Sequence, residues 1–459
     1  MKTLTPPLDP GFNPLSIVFR DYQKAVQEHG ASQHFVVRIQ RAEELYSTFS
    51  LDILPEGVDD ELTITLLDRL VKSLLWVRGG YRIITSGSKL VHEHLKAAYQ
   101  EGGSRAFDAD FMHTVYERPL EVEYAEDPAS IEASKESASS IGKHLDGCRI
   151  GFDAGGSDRK VSAVMDGKTL FSEEVVWHPK VTEDPDYHYN GILSAMKTAA
   201  SHLPRVDAIG VSSAGVYIDN KAMVASLFLK VPKDLFQSKV KNIYINAAKE
   251  IGDVPLVVAN DGDVTALAGA MSLDAGNVLG IAMGTSEAGG YVDHKMRITG
   301  WLNELAFVPV DMNPDAMVDE WSGDYGCGVK YFSQDAVIKL APAADIDLSS
   351  ADSPAEKLKI VQKEMEKENP RAMDIFKSIG VYFGYAIAWY ALFYEINQVL
   401  IMGRVTSGLG GDLIIKHARE VLEKDFPELA KKMTLSLPDE KARRVGQSVA
   451  AASLPEIVR

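Results

Sequence analysis

In four segments of this 459-residue chain, an apolar stretch leads directly into glycines and polar side chains. In the first, Phe152 leads into Asp153, and the turn Gly155-Gly156-Ser157 follows. Adjacent glycines let a backbone approach an anion closely, and the N–H groups of such a turn can face phosphate oxygens. Asp153 ends the predicted strand, where its carboxylate can hold Mg²⁺ through water. A plain hairpin with an exposed carboxylate fits the same residues.

The second segment repeats this pattern of strand, glycine turn and strand. The apolar stretch Val278 to Met283 leads into Gly284-Thr285-Ser286, and a further strand is predicted after Gly289-Gly290. Two such hairpins could hold phosphate groups from opposite sides.

The third segment pairs a carboxylate with the start of a helix. A buried strand is predicted to end at Asn260-Asp261, and a helix rich in alanine and leucine follows, with Asp263 and Thr265 as candidate caps. Open α/β sheets bind ligands at the carboxyl ends of their strands. A carboxylate at that point can accept a proton from a substrate hydroxyl. We therefore assign a chemical role to Asp261 and only a capping role to Asp263.

The fourth segment lies near the end of the sequence. A strand is predicted to end at Gly403, and Gly408 and Gly410-Gly411 precede a helix expected to begin near Asp412. A glycine turn of this kind can let adenine and ribose lie against the backbone. A plain connection between strand and helix is the alternative.

The elements that must position these segments change in character along the chain. Residues 1–125 mix helical and strand patterns, and Leu62 to Trp76 predicts an amphipathic helix. Residues 126–147 are polar and rich in serine and alanine, as in a linker or a solvated helix. Alternating strands and helices follow, which indicates α/β architecture. The predicted domains are an α+β domain with its linker (1–147), a first lobe (148–270), and a second lobe whose final helix returns to the first (271–459).

Composition excludes several classes of function. The net charge of −17 disfavours binding to nucleic acid. Two cysteines, Cys148 and Cys327, fit a reducing compartment, and Met1 to Pro10 lacks the pattern of a signal peptide, so a cytoplasmic location is expected. The uncharged stretch Ser378 to Tyr394 is interpreted as a buried helix, so no membrane partner is expected.

The order of the four segments resembles the actin-like ATPase fold with its two phosphate hairpins and adenosine loop. More closely, the chain from about residue 148 onward resembles the ROK family (repressors, open reading frames and sugar kinases). The resemblance implies two actin-like (RNase H-like) lobes around a nucleotide cleft, here preceded by an extra α+β domain. It also implies ATP and Mg²⁺ as cofactors, a sugar as substrate, and a possible homodimer.

The resemblance also implies roles for individual residues. The family's Asn-Asp pair, which binds sugar and supplies the catalytic base, corresponds to Asn260 and Asp261. A turn that touches sugar corresponds to Ser212 to Gly215, and a glutamate that binds sugar hydroxyls corresponds to Glu304. The implied sugar ligands are therefore Ser213, Gly215, Asn260, Asp261 and Glu304, and the implied nucleotide ligands are Asp153, Gly155, Gly156, Ser157, Gly284, Thr285, Ser286 and Gly403.

The chain departs from the family's pattern at several positions. The family's zinc segment corresponds to Gly323 to Gly328, where Cys327 is the single thiol, and Phe307 replaces the accompanying histidine. One soft ligand cannot make a tetrahedral site, so no structural zinc is expected. Val329 stands where a glutamate that binds sugar usually follows. Glu287 enters the second phosphate turn, where it could repel phosphates or help to hold Mg²⁺.

The function expected is phosphotransfer from ATP to a hydroxyl of a sugar. A non-catalytic protein that senses sugar or nucleotide on the same fold is the alternative, because each departure lies in the family's binding pattern. The presence of Asn260-Asp261 and Glu304 argues against an actin-like or chaperone-like ATPase without a sugar substrate. Residues 1–147 do not resemble the winged-helix domain of ROK repressors.

Overall fold

The computed structural model describes residues 3–136, 141–438 and 440–457, and the chain forms two compact units. Unit 1 comprises Met1–Ser137, Ile281–Gly289 and Trp301–Leu437, and unit 2 comprises Ala138–Gly280, Gly290–Gly300 and Pro438–Arg459. Residues before the linker therefore share a unit with much of the second half of the chain. The predicted division at residues 147 and 270 stays a prediction.

Helices and strands alternate after residue 148, so the predicted α/β class is confirmed. The helices are α1 (Leu15–His29), α2 (Asp60–Arg78), α3 (Lys89–Ala98), α4 (Ala106–Tyr116), α5 (Pro185–Ala200), α6 (Lys233–Leu235), α7 (Ile243–Lys249), α8 (Asp261–Leu273), α9 (Gln334–Leu340), α10 (Pro354–Glu366), α11 (Pro370–Tyr390), α12 (Leu409–Asp425), α13 (Pro427–Lys432) and α14 (Glu440–Ala452). The strands are β1 (Gln33–Ala42), β2 (Leu45–Ile53), β3 (Arg82–Ser86), β4 (Glu121–Tyr124), β5 (Cys148–Ala154), β6 (Asp158–Met165), β7 (Lys168–Val176), β8 (Ala208–Ser213), β9 (Val216–Ile218), β10 (Lys221–Val224), β11 (Leu256–Asn260), β12 (Val278–Met283), β13 (Glu287–Val292), β14 (Gln398–Met402) and β15 (Thr434–Ser436).

Unit 2 is built on a five-stranded sheet in the order β11-β8-β5-β6-β7. The strands β11, β8 and β5 run parallel, whereas β5, β6 and β7 form an antiparallel meander. The strand β5 is buried along its whole length, as expected for a central strand covered on both faces. Because the three parallel strands end at one edge, this sheet can gather side chains from distant parts of the sequence there.

Helix α14 packs against this sheet at two glycines that are neighbours across the strands. Gly151 on β5 is paired in register with Gly210 on β8. A Cβ added to Gly151 would lie 1.8 Å from the carbonyl oxygen of Ser448, and one on Gly210 would lie 1.7 Å from that of Ala451. Only glycine permits such close approach of a helix backbone to a sheet.

The part of unit 1 before the linker contains a four-stranded sheet in the order β2-β1-β3-β4, with the helices α1 to α4. Helix α2 covers the predicted segment Leu62 to Trp76, but its predicted amphipathic character is wrong. From Leu66 to Val77 every residue is buried, including Asp68, Arg69 and Lys72. The charged residues of α2 therefore need partners inside the unit.

A further four-stranded sheet has the order β13-β12-β14-β15. In unit 1, the helices α11 and α12 pack closely against each other. Helix α11 is buried on every side from Ser378 to Tyr390, in agreement with its interpretation as a core helix. No helix within the described ranges has the length and apolarity that a membrane crossing requires.

The contact between α11 and α12 predicts the effect of a substitution at Gly384. A Cβ added there would lie 2.6 Å from the Cβ of Val421 and 2.8 Å from the carbonyl oxygen of Ala418. Gly384→Val should therefore lower the free energy of unfolding by about 1–3 kcal/mol, the usual cost of overpacking. Urea unfolding followed by tryptophan fluorescence measures this change.

Gly446→Ala is the control, because Gly446 also lies in a helix and, among the described residues outside that helix, an added Cβ would meet Ala268 alone, at 3.8 Å. Equal stabilities of the Gly384→Val variant and the wild type would show that α11 and α12 are not as close as described.

Candidate active site

The carboxyl ends of three parallel strands bring the predicted residues of unit 2 together. In register, Asp153 on β5 faces Ser212 on β8, and Ser213 on β8 faces Asn260 on β11. Asp261 follows at once as the first residue of α8. Residues that are more than a hundred positions apart in the sequence thus share one edge of the sheet.

The carboxylate of Asp153 is buried and accepts a hydrogen bond from Ser212 Oγ at 2.9 Å. Its pKa is raised to about 6, mainly by burial and also by the nearby carboxylate of Asp261, against the lowering effects of Ser212 and Lys160. A site where two carboxylates disfavour each other's charge is one that a divalent cation would stabilise. Asp153 therefore fits Mg²⁺ held through water. Among the described residues no group of three acidic, histidine or cysteine side chains could hold a metal directly.

Asn260 and Asp261 are fixed by the start of α8. The side chain of Asn260 caps the helix, since its Oδ1 accepts from the N–H of Gly262 at 2.8 Å while its Nδ2 donates to the carbonyl of Gly215 at 2.8 Å. Burial raises the pKa of Asp261, whereas the Gly262 N–H and Lys180 lower it. The carboxylate of Asp261 is half-buried, has a raised pKa and stands at a helix start, so it is suited to accept a proton.

The predicted cap at Asp263 is wrong. Asp263 is buried and accepts a hydrogen bond from the backbone N–H of Tyr291 at 3.1 Å, so it ties α8 to β13. Thr265 donates to the carbonyl of Asp261 at 2.7 Å, a bond inside the first turn of the helix. The true cap is Asn260, one residue before the helix, where a side-chain oxygen best reaches the free N–H groups.

The turn to which the resemblance assigns sugar contact is present, but the hydroxyl of Ser213 already forms hydrogen bonds within the protein. Ser213 is fully buried, and its Oγ lies 2.7 Å from the hydroxyls of both Tyr244 and Tyr217. Gly215 follows with φ of 136°, a conformation that favours glycine. A ligand at this turn would therefore meet the backbone near Gly215 more readily than the side chain of Ser213.

The first glycine turn lies between β5 and β6. Gly155 is partly buried, whereas Gly156 and Ser157 are exposed. A Cβ on Gly155 would lie 2.7 Å from the carbonyl oxygen of Asp158, so the turn is tight. Trp177 secures it by donating from its Nε1 to the carbonyl of Gly155 at 2.7 Å.

Unit 1 carries the second turn and the predicted adenosine turn next to each other. The N–H of Gly284 donates to the carbonyl of Ser286 at 3.0 Å, and Thr285 and Ser286 are exposed. Gly403 has φ of 101°, and a Cβ there would lie 2.3 Å from the carbonyl oxygen of Met283. Helix α12 begins at Leu409, earlier than the predicted start near Asp412.

Glu287 does not enter the second turn as a free charge. It begins β13, is buried, and neither of its oxygens has a hydrogen-bond partner of good geometry among the described residues. Burial raises its pKa well above the usual value, Glu304 raises it further, and the hydroxyl of Tyr390 lowers it. The protonated form is favoured, so repulsion of phosphates by a Glu287 anion is not expected.

Glu304 is positioned by the helix that the resemblance does not cover. The backbone N–H groups of Leu302, Asn303 and Glu304 donate to the last carbonyls of α2, at 3.3, 3.1 and 3.1 Å. Arg78 at the end of α2 lies over the ring of Trp301, with its guanidinium carbon 3.3 Å from the ring centre. The C-terminal carbonyls of a helix need such donors, and here the segment that carries Glu304 supplies them.

The segment that corresponds to the family's zinc site is organised around a carboxylate. Asp324 Oδ2 accepts from Arg69 at 2.6 Å, from Lys72 at 2.7 Å and from Arg105 at 2.6 Å. These cations hold the pKa of Asp324 down, to about 2, against the opposing effect of burial. We call Asp68, Arg69, Lys72, Arg105, Asp108 and Asp324 the buried ion cluster.

The residues beside this cluster do not fit a zinc ion. Burial raises the pKa of the Cys327 thiol to about 11, whereas a zinc ligand must be a thiolate. Phe307, in the place of the histidine, packs on Trp76 with ring centres 4.3 Å apart and also contacts Phe107 and Phe111. Three cations and an aromatic cluster would repel or exclude the metal.

Two features of this site were not predicted from the sequence. Lys180 lies beside the first turn, and the cations of α2 and Arg105 meet Asp324 from across unit 1. The sequence held one signal for the second feature: Lys72 and Ser73 stand between apolar Leu70-Val71 and the apolar run from Leu74 to Val77, and a charged side chain buried at such a position must be paired.

Solved structures share this architecture. The ROK hexokinase from Thermus thermophilus is 16% identical, with 66% of this chain and 97% of that chain covered at a TM-score of 0.50. A ROK-family transcriptional regulator, a homologue of the E. coli MLC protein, is 18% identical, with 68% and 79% covered at a TM-score of 0.50. The chain has the ROK fold. Neither a protein-family model nor a curated protein matches the sequence. At these identities the ROK fold is what the likeness shows.

The buried ion cluster predicts a large loss of stability in Asp324→Asn. Removing one partner leaves three buried cations without their shared carboxylate, which should cost about 3–5 kcal/mol in the free energy of unfolding. Urea unfolding at neutral pH measures this difference. Glu428→Gln is the control, because Glu428 makes an exposed pair with Lys431 at 2.7 Å and its loss should leave the unfolding midpoint unchanged.

The same comparison has an expected pH dependence. The pKa of Asp324 is about 2 in the folded state and about 3.9 when unfolded, so its stabilisation is complete above the unfolded value and is lost as the pH falls through about 2. The gap between wild type and Asp324→Asn should therefore be constant above about pH 5 and shrink below pH 4. A gap that stays constant down to pH 2 would contradict a charged, paired Asp324.

Proposed function

We propose that this protein transfers a phosphoryl group from ATP to a hydroxyl of a sugar. The observation that carries the proposal is the convergence of Asp153, Asn260 and Asp261 at one sheet edge beside a tight glycine turn. The ROK fold supports it, since one solved protein of this fold is a hexokinase. Fold alone does not fix activity, so the site carries the argument.

The proposed roles follow from the chemistry of each group. Asp261 accepts the proton of the sugar hydroxyl as the hydroxyl oxygen attacks the γ-phosphorus. Its raised pKa brings its basicity closer to neutral pH than that of an exposed carboxylate. In unit 2, Asn260 and the backbone at Gly215 orient the sugar. The role of Glu304 as a ligand of sugar hydroxyls is proposed for unit 1 by itself. Positioning and electrostatic stabilisation are the protein's main contribution to phosphoryl transfer.

The nucleotide roles are proposed for each unit by itself. In unit 2, Asp153 holds Mg²⁺ through water, and the backbone of Gly155-Gly156-Ser157 faces phosphate oxygens. In unit 1, the exposed turn Gly284-Thr285-Ser286 also faces phosphate, and Gly403 meets the adenosine. When bound, Mg²⁺ neutralises charge on the phosphate oxygens. The expected absence of nucleic-acid partners, the possible homodimer and the cytoplasmic location stay predictions.

A sensor of sugar without catalysis is the second candidate. Two observations favour it: the buried Glu287 begins β13 directly after the second turn, where the family's pattern has a glycine-rich pair, and a solved protein of the same fold is a transcriptional regulator. The two candidates differ in one measurable respect. A kinase releases ADP in proportion to added sugar, whereas a sensor binds the sugar and is stabilised by it without turnover.

The kinase proposal predicts the behaviour of Asp261→Asn. Sugar-stimulated release of ADP, measured with Mg-ATP against a panel of hexoses and amino sugars, should fall about 10²–10⁴-fold because the proton acceptor is lost. Asp274→Asn is the matched control: it makes the same chemical change at the far end of α8, where Asp274 is exposed, and should leave turnover unchanged.

Sugar binding by Asp261→Asn is followed in parallel through the rise in Tm. Near wild-type turnover in this variant, with sugar binding intact, would overturn the assignment of Asp261 as the base. A rise in Tm with sugar but no turnover in the wild type would replace the kinase by the sensor.

A further inference from the structure

Lys180 lies directly against the first glycine turn. It sits in the short 3₁₀ turn Pro179–Val181 that follows β7. A Cβ added to Gly156 would lie 2.8 Å from Lys180 Cε and 3.1 Å from Lys180 Nζ. The ammonium group thus covers the turn whose backbone is proposed to face phosphate oxygens.

The segment that carries Lys180 is fixed to this turn, although the side chain itself is exposed. Trp177 is buried, and in addition to its bond to Gly155 its backbone N–H donates to the carbonyl of Ser157 at 3.1 Å. His188 is fully buried, and its Nε2 lies 3.0 Å from the carbonyl oxygen of Pro179. Two buried rings therefore determine where the backbone of Lys180 lies relative to the turn.

The ammonium group of Lys180 has no partner among the described residues. It makes no ion pair or hydrogen bond with any described residue, whereas Lys160, the other cation near this edge, is paired with Asp158 at 3.0 Å. Lys180 is also the cation that acts on the carboxylate of Asp261. An ordinary solvated surface lysine would explain the exposure of the side chain. It would not explain why the backbone of Lys180 is fixed, why its charge is unpaired among the described residues, and why it lies close to both the first glycine turn and Asp261.

We propose that Lys180 is a further catalytic residue, whose ammonium group contacts the phosphoryl group during its transfer from ATP to the sugar. This inference rests on the proposed kinase function. In the transfer, a bond forms between the sugar oxygen and the γ-phosphorus, and the bond from that phosphorus to the bridging oxygen of ADP breaks. The sugar proton goes to Asp261. Lys180 stays protonated throughout and stabilises the charge on the equatorial phosphoryl oxygens, as cationic groups do in phosphoryl transfer.

The test compares Lys180→Met with Lys180→Arg and with Lys168→Met. Lys168 is the matched control, since it is exposed and lies at the opposite end of the β6–β7 hairpin, paired in register with Met165. In Lys180→Met, kcat for sugar-stimulated ADP release should fall about 10²-fold or more, with KM for the sugar unchanged. Lys180→Arg, which keeps the charge, should recover most of the lost rate, and Lys168→Met should match the wild type.

Calorimetric titration with Mg-ATP provides a second readout that does not depend on turnover. Loss of a charge-assisted contact should weaken binding by Lys180→Met about tenfold. Turnover and ATP affinity equal to those of Lys168→Met would overturn the inference, as would an arginine variant as impaired as the methionine variant.

Refutation of the kinase function and refutation of the role of Lys180 give different results. A wild type that turns over no sugar refutes the kinase, and the ATP affinities then decide on Lys180 alone. Under that outcome, weaker ATP binding by Lys180→Met upholds the phosphate contact, whereas unchanged affinity, or no ATP binding by the wild type, overturns it.

Discussion

The organisation of unit 1 depends on one buried carboxylate. Asp324 satisfies three cations at once, two from α2 and one from the residue before α4. Taking so many charges out of water is costly, and attraction between them repays the cost only when the geometry is good and every group is paired. In the buried ion cluster three cations, Arg69, Lys72 and Arg105, face three carboxylates, Asp68, Asp108 and Asp324. Trp76 Nε1 donates to Asp108 Oδ1 at 3.0 Å, and Asp108 Oδ2, which has no hydrogen-bond partner among the described residues, lies 3.6 Å from Lys72 Nζ.

This constraint explains why the segment before the linker belongs to the same compact unit as residues 302–304 and Asp324. Once α2 is held by Asp324, its last carbonyls are in place to receive the N–H groups of residues 302–304. Phe307 then closes the aromatic cluster with Trp76. Helix α2 thus orders two segments of unit 1, the one around Phe307 through ring contacts and the one around Cys327 through ion pairs.

The sequence predicted those parts of the structure whose signals are local. The strand, turn and strand patterns at Asp153 and Gly284 were readable because glycines and period-two apolar residues lie within a few positions of each other. A helix after β11 was readable for the same reason, but its candidate caps, Asp263 and Thr265, were wrong, because α8 begins at Asp261 and Asn260 is its cap. A cap depends on one residue of register, which is the least reliable feature of a sequence prediction.

Long-range pairing was beyond prediction. Arg69 and Lys72 have the spacing of solvated residues on an amphipathic helix, and nothing near them in the chain shows that Asp324 is their partner. The same holds for Glu287, whose charge state depends on burial that only the fold produces. Lys180 is the converse case: its side chain is exposed, but buried Trp177 and His188 fix its backbone. Where the fold and not the residue type sets the electrostatics, a sequence pattern names the candidate groups, and the three-dimensional arrangement decides which of them are neutral, paired or left free to meet a ligand.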